Sequence, residues 1–336
     1  MIFVGTKGKI EARIIPSLGY EFYTIWISGF KRTISIQNLL FPIKTIVSLV
    51  QSFHILRHVR PDAVIGTGGY VCGPVLFAAS KKKIPAMVQE QNSYPGFTTR
   101  MLASRVDQVH LTFEKSKQYL RNPKQIFVSG TPVRSSLKRM DREIACRQFG
   151  LAPEKATIFV FGGSLGAAAI NGAVMQLIRQ LVERDVQVIW QTGKNDYEKI
   201  ASQSRAWGSH VKVRSFIDEM GAAYSASDLV VCRAGATSLA ELTLLGVPSI
   251  LIPYPFAAAN HQFENAKSMQ ENGAAFLLPE TQLPTLGERL FSLLNDRSGL
   301  ESMAARSKAL GKPDAAIAIA QEVIHLIHRK RGEAAS

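Results

Sequence analysis

A chain of 336 residues and 36.9 kDa is longer than one hydrophobic core usually serves, so two domains are expected. With 46% hydrophobic residues, 20% charged residues and a mean hydropathy of +0.04, the composition excludes a disordered, collagen-like or coiled-coil chain. Three widely spaced cysteines, Cys72, Cys146 and Cys232, predict neither a metal-binding pair nor a disulfide framework, which indicates a reducing compartment.

Short apolar runs alternate with helical stretches through the first half of the chain. Strands are predicted over 1–4, 21–27, 62–66, 85–89, 107–112 and 125–129. Helices are predicted near 37–59, 70–82, 96–105 and 114–121. The first strand leads into a charged loop, Gly5 to Lys9, instead of the glycine loop that usually opens a doubly wound domain. This sheet is therefore expected to begin with an atypical unit or to lack its first one.

The second half repeats the alternation of strands and helices. Strands are predicted over 156–161, 186–191, 211–214, 228–232, 248–252 and 274–278. Helices are predicted near 165–183, 236–245, 260–271, 283–295 and 314–330. Alternation in both halves predicts an α/β protein with two parallel, doubly wound, Rossmann-like sheets. The seam is placed at 131–140, a basic stretch rich in turn-forming residues.

The positive charge is concentrated in the first half. Residues 1–140 hold 20 basic and 6 acidic residues, whereas 141–336 hold 20 of each. A one-sided basic surface indicates a polyanionic partner, either nucleic acid or an anionic membrane. No basic motif interleaved with aromatic residues accompanies the charge, which disfavours nucleic acid. No apolar stretch reaches the ~18 residues that a membrane-spanning helix needs.

A periodic apolar stripe over 36–60 has two interpretations. It fits a core helix as well as a helix that lies at a membrane surface. The basic charge of the same half favours the membrane. The stripe consists of Leu39, Leu40, Ile43, Ile46, Val47, Val50 and Phe53, with Leu49 and Leu56 beside its centre.

Two glycine-rich loops follow predicted strands and open predicted helices. They span 66–70, with Gly73 beyond, and 162–167. Glycines let a ligand approach the backbone, and the N–H groups at a helix start attract phosphate, to which Ser164 would add a hydroxyl donor. Tight strand-to-helix turns explain one such loop equally well. One loop in each half favours a ligand between them.

The segment 232–241 predicts a more specific site. It leaves a buried strand and enters a helix on which Glu241 lies in the second turn. Its carboxylate could accept hydrogen bonds from both vicinal hydroxyls of a ribose, while the N–H groups of 236–238 face a phosphate. In the alternative interpretation, Glu241 only offsets the helix dipole at the surface. His261 and Gln262 open the next helix and could reach sugar hydroxyls.

Other constellations are weaker. His54 and His58 have metal-ligand spacing without a third ligand, and there is no Asp-x-Asp pair or G-x-S-x-G elbow. We therefore predict no metal and no cofactor.

Several motifs, in order and spacing, resemble the MurG family of UDP-N-acetylglucosamine transferases over nearly the whole chain. They are GTGGYVCGP at 66–74, QEQNSYPGFTTRMLA at 89–103, GTPVR at 130–134, FGGSLGAAAIN at 161–171, QTG at 191–193, SFIDEMGAAYSASDLVVCRAGATSLAEL at 215–242 and NHQFENA at 260–266.

The resemblance implies a GT-B fold, with two Rossmann-like domains facing a cleft. The domains would span 1–134 and 138–312, and a helix over 314–330 would cross back to the first. It also implies metal-independent, inverting transfer of GlcNAc from UDP-GlcNAc to the 4-hydroxyl of the muramyl sugar in lipid I, giving lipid II for peptidoglycan synthesis. The protein would lie peripherally on the cytoplasmic face of the bacterial inner membrane. Other cell-wall synthesis or division proteins are candidate partners.

The resemblance also assigns roles to individual residues. Arg134 and Ser164 would contact the donor phosphates, Ile217 the uracil, and Asn92 and Gln262 the GlcNAc. Phosphates and ribose would be held by Ala236, Thr237, Ser238, Leu239, Ala240 and Glu241. Tyr70 and Glu90 match positions that line the acceptor side and are acceptor-side candidates, and the resemblance leaves the catalytic residue unassigned. The membrane patch would comprise Ile43, Lys44, Ile46 and Leu49.

Three departures from the family pattern bear on activity. Family members begin with a GGTGGH loop whose His is a candidate catalytic residue, and nothing precedes MIFVGT here. Gln89 and Thr99 stand where His and Asn are usual. The donor site is thus expected to be complete and turnover of lipid I to be poor. The alternatives are another UDP-sugar transferase or epimerase of this fold, or a non-catalytic UDP-sugar-binding protein at the membrane.

Overall fold

The computed structural model describes residues 1–29 and 40–335, and the chain divides into two compact units. Unit 1 comprises residues 1–129 and the C-terminal residues from 316 onward, and unit 2 comprises 130–315. The division at 129/130 lies next to the predicted seam at 131–140. Residues 36–39 of the predicted apolar stripe, Leu39 among them, lie outside the described residues.

Unit 1 alternates short strands with helices. Its strands are Ile2–Gly5 (β1), Glu21–Thr24 (β2), Val64–Gly66 (β3), Ala86–Glu90 (β4), Gln108–Leu111 (β5) and Ile126–Val128 (β6). Its helices are Glu11–Ser17 (α1), Phe41–Val59 (α2), Cys72–Lys81 (α3) and Phe97–Leu102 (α4), and a 3-10 helix spans Glu114–Tyr119. Every strand predicted in this half is present, with bounds that differ by a few residues.

The strands of unit 1 form two parallel sheets where one was expected. β1 pairs with β2, and β3, β4, β5 and β6 pair in that order. Among the described residues no ladder of backbone hydrogen bonds joins β1 to β3. The two sheets still share one core, because Val4 and Tyr23 pack against the cluster that contains Val64 and Leu76.

Helix α2 directs its apolar stripe outward. Ile43 and Ile46 are 52% and 63% exposed, and Val50 is exposed as well. The buried residues of this helix are Ser48, Ser52, Ile55 and Leu56, and the two serine hydroxyls donate to carbonyls one turn back, at 2.8 Å and 2.7 Å. Small serines satisfied within their own helix permit close packing against α3. The core-helix interpretation was therefore wrong for Ile43, Ile46 and Val50, whereas Phe53 of the same stripe packs against the core.

Unit 2 contains one parallel sheet of six strands. They are Thr157–Phe161 (β7), Gln187–Gln191 (β8), Val211–Arg214 (β9), Leu229–Cys232 (β10), Ser249–Leu251 (β11) and Phe276–Leu277 (β12), in the spatial order β12-β11-β10-β7-β8-β9. The strands at the centre are buried on both faces, and they pack against helices through a continuous apolar cluster that includes Val160, Trp190 and Val231. The predicted parallel, doubly wound α/β architecture of this half is confirmed.

Nine α-helices lie in the described residues after β6, eight of them in unit 2 and the last, α13, in unit 1. They are Arg142–Phe149 (α5), Ala168–Glu183 (α6), Tyr197–Gln203 (α7), Met220–Ala226 (α8), Ala236–Leu245 (α9), His261–Glu271 (α10), Leu286–Asn295 (α11), Arg297–Leu310 (α12) and Ala315–Ala335 (α13). The predicted helix over 236–245 matches α9 residue for residue.

Five helices in the described part of the chain lie outside the predicted helix ranges: α1, α5, α7, α8 and α12. Three of them span only seven residues, too short for a periodic pattern. The start of α5 could have been found, because aspartate is a favoured N-cap residue. The Asp141 carboxylate accepts from the N–H groups of Glu143 and Ile144 at 2.9 Å and 3.2 Å.

Helix α13 packs in unit 1. Ile319 and Val323 form a small apolar cluster with Met87 of β4. Within the described ranges, no helix combines the length and apolarity needed to cross a bilayer.

Candidate active site

The candidate donor-side residues of unit 2 follow the carboxyl ends of its strands. β7 and β10 are neighbours in the sheet, and β8 lies on the other side of β7. In a parallel sheet the loops after these strands meet at one edge, where ligands of open α/β sheets bind. The loop 162–167 and the segments 192–193 and 233–235 therefore share this edge.

The glycine loop after β7 depends on close backbone contact. Gly166 has a φ of +81°, and a Cβ at this position would lie 2.1 Å from the carbonyl oxygen of Thr192. Only glycine combines this conformation with this approach. Ser164 in this loop is exposed, as a hydroxyl that donates a hydrogen bond to a phosphate must be.

Gln191, at the end of β8, connects two predicted contact regions. Its amide nitrogen donates to the carbonyl of Gly163 at 3.1 Å, and its amide oxygen accepts the N–H of Ile217 at 2.8 Å. Both side chains, Gln191 and Ile217, are buried. The sequence indicated the QTG motif only as part of the resemblance. It did not predict that Gln191 joins the glycine loop 162–167 to Ile217, the predicted uracil contact.

Glu241 is 6% exposed, so the interpretation as a surface partner of the helix dipole was wrong. Its Oε2 accepts from the Tyr224 hydroxyl at 2.8 Å, and its Oε1 lies 3.8 Å from Nη2 of Arg134. Burial raises the pKa of the Glu241 carboxyl, while Tyr224 and Arg134 act in the opposite direction. The Glu241 carboxylate, the Arg134 guanidinium and the start of α9 thus lie close together.

The start of α9 offers a ligand backbone N–H groups more than side chains. Gly235 is the extended N-cap residue, and the first N–H that donates within the helix is that of Leu239, to Gly235. The N–H groups of 236–238 come before it, in the first turn, where intrahelical acceptors are lacking. Leu239 and Ala240 are buried, and Thr237 is exposed.

Arg233, next to this helix, has a structural role. Its guanidinium donates to the carbonyls of Ile252 and Pro253 at 3.3 Å and 3.1 Å, and it pairs with Glu280 at 2.5 Å. It also lies 5.4 Å from the centroid of the Tyr254 ring. These contacts hold the turn after β11.

The start of α10 lies against the same turn. The Gln262 amide oxygen accepts the N–H of Tyr254 at 2.9 Å, which leaves the orientation of the side chain fixed. The His261 ring contacts the carbonyl of Ala258 at 2.6 Å. Asn260 adopts a left-handed conformation, with φ of 56°.

The acceptor-side candidates belong to unit 1. The Glu90 carboxylate is buried at the end of β4, where it accepts from the Asn92 N–H and side-chain amide, both at 3.1 Å, and from the Gly96 N–H at 2.9 Å. Glu90 therefore holds the loop that carries Asn92. The Tyr70 ring packs against Gly29, and Gln89 is buried and donates to the Thr112 hydroxyl at 3.3 Å.

Family models match most of the chain. Residues 1–111 match the glycosyltransferase family 28 N-terminal domain, and residues 157–319 match the C-terminal domain of the same family. The chain belongs to glycosyltransferase family 28. Tyr70, Glu90 and Asn92 lie in the part that matches the N-terminal domain, whereas Ser164 and Glu241 lie in the part that matches the C-terminal domain.

Two relatives within family 28 are similar over nearly their full length. A protein of Chlorobium limicola is 42% identical over 96% of this chain and 90% of its own, and one of Listeria monocytogenes is 42% identical over 97% and 91%. Both are named UDP-N-acetylglucosamine--N-acetylmuramyl-(pentapeptide) pyrophosphoryl-undecaprenol N-acetylglucosamine transferase.

A crystal structure of MurG from Acinetobacter baumannii is similar to this chain in fold and sequence. It superposes with a TM-score of 0.76 and 27% identity, covering 98% of this chain and 90% of that one. The predicted GT-B class, with two Rossmann-like α/β domains, and the predicted resemblance are both confirmed.

Proposed function

We propose that this chain transfers N-acetylglucosamine from UDP-N-acetylglucosamine to the N-acetylmuramyl sugar of an undecaprenyl-pyrophosphoryl pentapeptide. The names of relatives at 42% identity support both substrates. The observation that carries the donor half is the buried Glu241 beside the start of α9, with Arg134 at 3.8 Å. A nucleoside diphosphate carries two vicinal ribose hydroxyls and, a few bonds away, a diphosphate, which suit a buried carboxylate next to the N–H groups of a helix start.

The donor contacts follow from this arrangement. Ser164 and the N–H groups of 236–238 would bind the diphosphate, and Arg134 would turn from Glu241 toward it. Ile217 would contact the uracil, and Glu241 both ribose hydroxyls. His261 and Gln262 would contact the sugar.

The reaction is an inverting displacement at the anomeric carbon. The 4-hydroxyl of the muramyl sugar attacks C1 of GlcNAc, the bond from C1 to the diphosphate oxygen breaks, and the hydroxyl proton passes to a base. Arg134 and the start of α9 stabilise the charge that develops on the departing UDP. Tyr70 and Glu90 stay candidates for the acceptor side.

Nucleotide preference tests the donor assignment. UDP should bind more tightly than GDP or TDP in titration calorimetry, because a site shaped for uracil and a ribose 2′-hydroxyl excludes a purine and a deoxyribose. Equal affinities for all three would contradict a uridine-specific site.

Product analysis with a short-chain lipid I analogue separates the alternatives. Release of UDP that depends on the acceptor supports the transferase. Formation of a UDP-sugar epimer would support an epimerase, and binding without either product would support a non-catalytic protein.

We also infer that unit 1 lies peripherally on an anionic membrane, at the cytoplasmic face of the inner membrane. The membrane patch of Ile43, Lys44, Ile46 and Leu49 exposes two of its apolar side chains, and Trp26 is half exposed beside it. The Lys44 ammonium lies 5.7 Å from the centroid of the Trp26 ring. Tryptophan and lysine next to exposed aliphatic side chains are typical of an interfacial surface. Contacts with other cell-wall synthesis or division proteins stay a prediction of the resemblance.

Replacing Ile43 and Ile46 by serine should weaken binding to vesicles containing phosphatidylglycerol or cardiolipin by about tenfold or more, because partial burial of an isoleucine contributes about 1 kcal/mol. Added salt should weaken binding further, by about 1 kcal/mol for each basic contact that is screened. Vesicle co-sedimentation measures both effects.

Ile144→Ser is the matched control, since Ile144 is equally exposed but lies on α5 of unit 2. Unchanged vesicle binding by the double variant, or an equal loss in the control, would remove the membrane patch from this proposal.

A further inference from the structure

Tyr224 is a fully buried side chain that the donor contacts above do not include. It lies on α8, and its ring packs edge-on against Phe159 and Phe161 of β7, with centroid separations of 5.6 Å and 6.1 Å. These aromatic contacts fix the ring. Its hydroxyl therefore has one accessible direction, toward Oε2 of Glu241 at 2.8 Å.

The two oxygens of Glu241 have different surroundings. Oε2 is held by Tyr224, whose ring cannot move without disturbing the core. Oε1 faces Arg134, whose side chain is 63% exposed and can leave when a diphosphate binds. Glu241 is thereby held from behind, with one oxygen directed to the edge of the sheet.

The charges around Glu241 support the same assignment. Burial raises the pKa of its carboxyl, and the Tyr224 hydroxyl and Arg134 lower it. Cys232 lies beside it on β10 with a fully buried thiol, whose pKa burial also raises, so this thiol stays neutral. Removing the Tyr224 hydroxyl would leave Arg134 as the remaining partner that favours the ionised carboxyl.

We propose that Tyr224 is a positioning residue for ribose recognition, which holds the Glu241 carboxylate in the orientation that accepts both hydroxyls without itself touching the nucleotide. The proposal rests on the proposed function, because it takes Glu241 as the ribose acceptor. It predicts that the tyrosine hydroxyl controls discrimination between ribose and deoxyribose.

The test compares UDP with 2′-deoxy-UDP in wild type and Tyr224→Phe. The preference for UDP should shrink by about 3- to 10-fold in the variant, the range of one ordinary hydrogen bond, because Tyr224 acts on the ribose only through the carboxylate. If Tyr224 had a merely structural role, the substitution would weaken the binding of both nucleotides by the same factor. An unchanged ratio of the two affinities would therefore overturn the proposal. Tyr197→Phe, which removes a half-buried tyrosine hydroxyl on α7, is the matched control.

A pH profile gives a second readout. Ribose hydroxyls donate to the ionised carboxylate, so affinity is lost as the pH falls through the pKa of Glu241. Without the Tyr224 hydroxyl this pKa rises, and the loss should begin at higher pH. UDP-N-acetylglucosamine without acceptor is the ligand, since it lacks the terminal phosphate whose own titration would overlap. Coincident profiles would contradict the proposal.

Two further variants keep the test decisive. With 3-fluorotyrosine at 224, which keeps the ring and makes the hydroxyl a stronger donor, the UDP preference should be retained or increased even if Tyr224→Phe folds poorly. A decrease would overturn the proposal. Glu241→Gln should reduce the preference by itself, and adding Tyr224→Phe to it should cause no further change. If Glu241→Gln left the preference intact, the ribose role of Glu241 would fail. If Glu241→Gln reduced the UDP preference and Tyr224→Phe did not, the positioning role of Tyr224 would fail while the ribose role of Glu241 stood.

Discussion

Replacing Glu241 by alanine is expected to weaken UDP binding by about 1.5–3 kcal/mol, or about 10- to 150-fold. The physical reason is the loss of a buried ionised acceptor shared by two ribose hydroxyls. Glu241 is 6% exposed, so water does not replace the lost carboxylate freely. Titration calorimetry with UDP at neutral pH measures the change.

Two comparisons isolate this effect from a general loss of stability. Glu241→Gln keeps an oxygen that can accept from Tyr224, so it should fold normally and still bind UDP weakly. Glu198→Ala removes an exposed glutamate of α7 in the same unit and should leave UDP affinity unchanged. A loss of only a few tenths of a kcal/mol in Glu241→Ala would show that the ribose is bound elsewhere.

Replacing Gly166 by alanine should abolish measurable UDP binding and lower the free energy of unfolding by about 2–4 kcal/mol. A Cβ would lie 2.1 Å from the carbonyl oxygen of Thr192, and the φ of +81° disfavours any side chain. The contact is with backbone, so no side chain can move aside. The loop would have to open away from Thr192, which displaces the N–H groups next to Ser164. Chemical denaturation and calorimetry measure the two losses.

Gly172→Ala is the matched control for this substitution. Gly172 lies inside α6, has no neighbour within 4 Å of an added Cβ and has no positive φ. Alanine there should raise the free energy of unfolding by about 0.5–1 kcal/mol, because glycine is a poor helix former. Wild-type UDP affinity in Gly166→Ala would show that the loop does not bind the phosphates.

The sequence alone predicted the parts of this fold that short-range patterns encode. Alternating apolar runs and helical periods predicted all twelve strands found in residues 1–29 and 40–335, and α9 was predicted residue for residue. The glycine loop at 162–167 and the helix start at 236 were also visible, because glycine and helix-start chemistry act within a few residues. The family resemblance, now confirmed, supplied the residue roles that no local pattern specifies.

The tertiary structure decided which side chains meet. Tyr224 and Glu241 lie 17 residues apart on the helices before and after β10, and their contact depends on how those two helices pack on the sheet. Gln191 likewise joins Gly163 to Ile217 through the order of β7, β8 and β9. Strand order depends on which crossovers bury the most apolar surface, a property of the whole core.

The orientation of α2 was also decided by the tertiary structure and not by the sequence pattern. Its periodicity predicted an apolar stripe over 36–60, and two interpretations of that stripe stayed open. The structure buries Ser48 and Ser52 and exposes Ile43 and Ile46. Hydrophobic periodicity determines that a helix has two faces. Which face turns inward depends on how closely the neighbouring helix can pack, and the inward face of α2 combines two small serines, satisfied within their own helix, with Ile55 and Leu56.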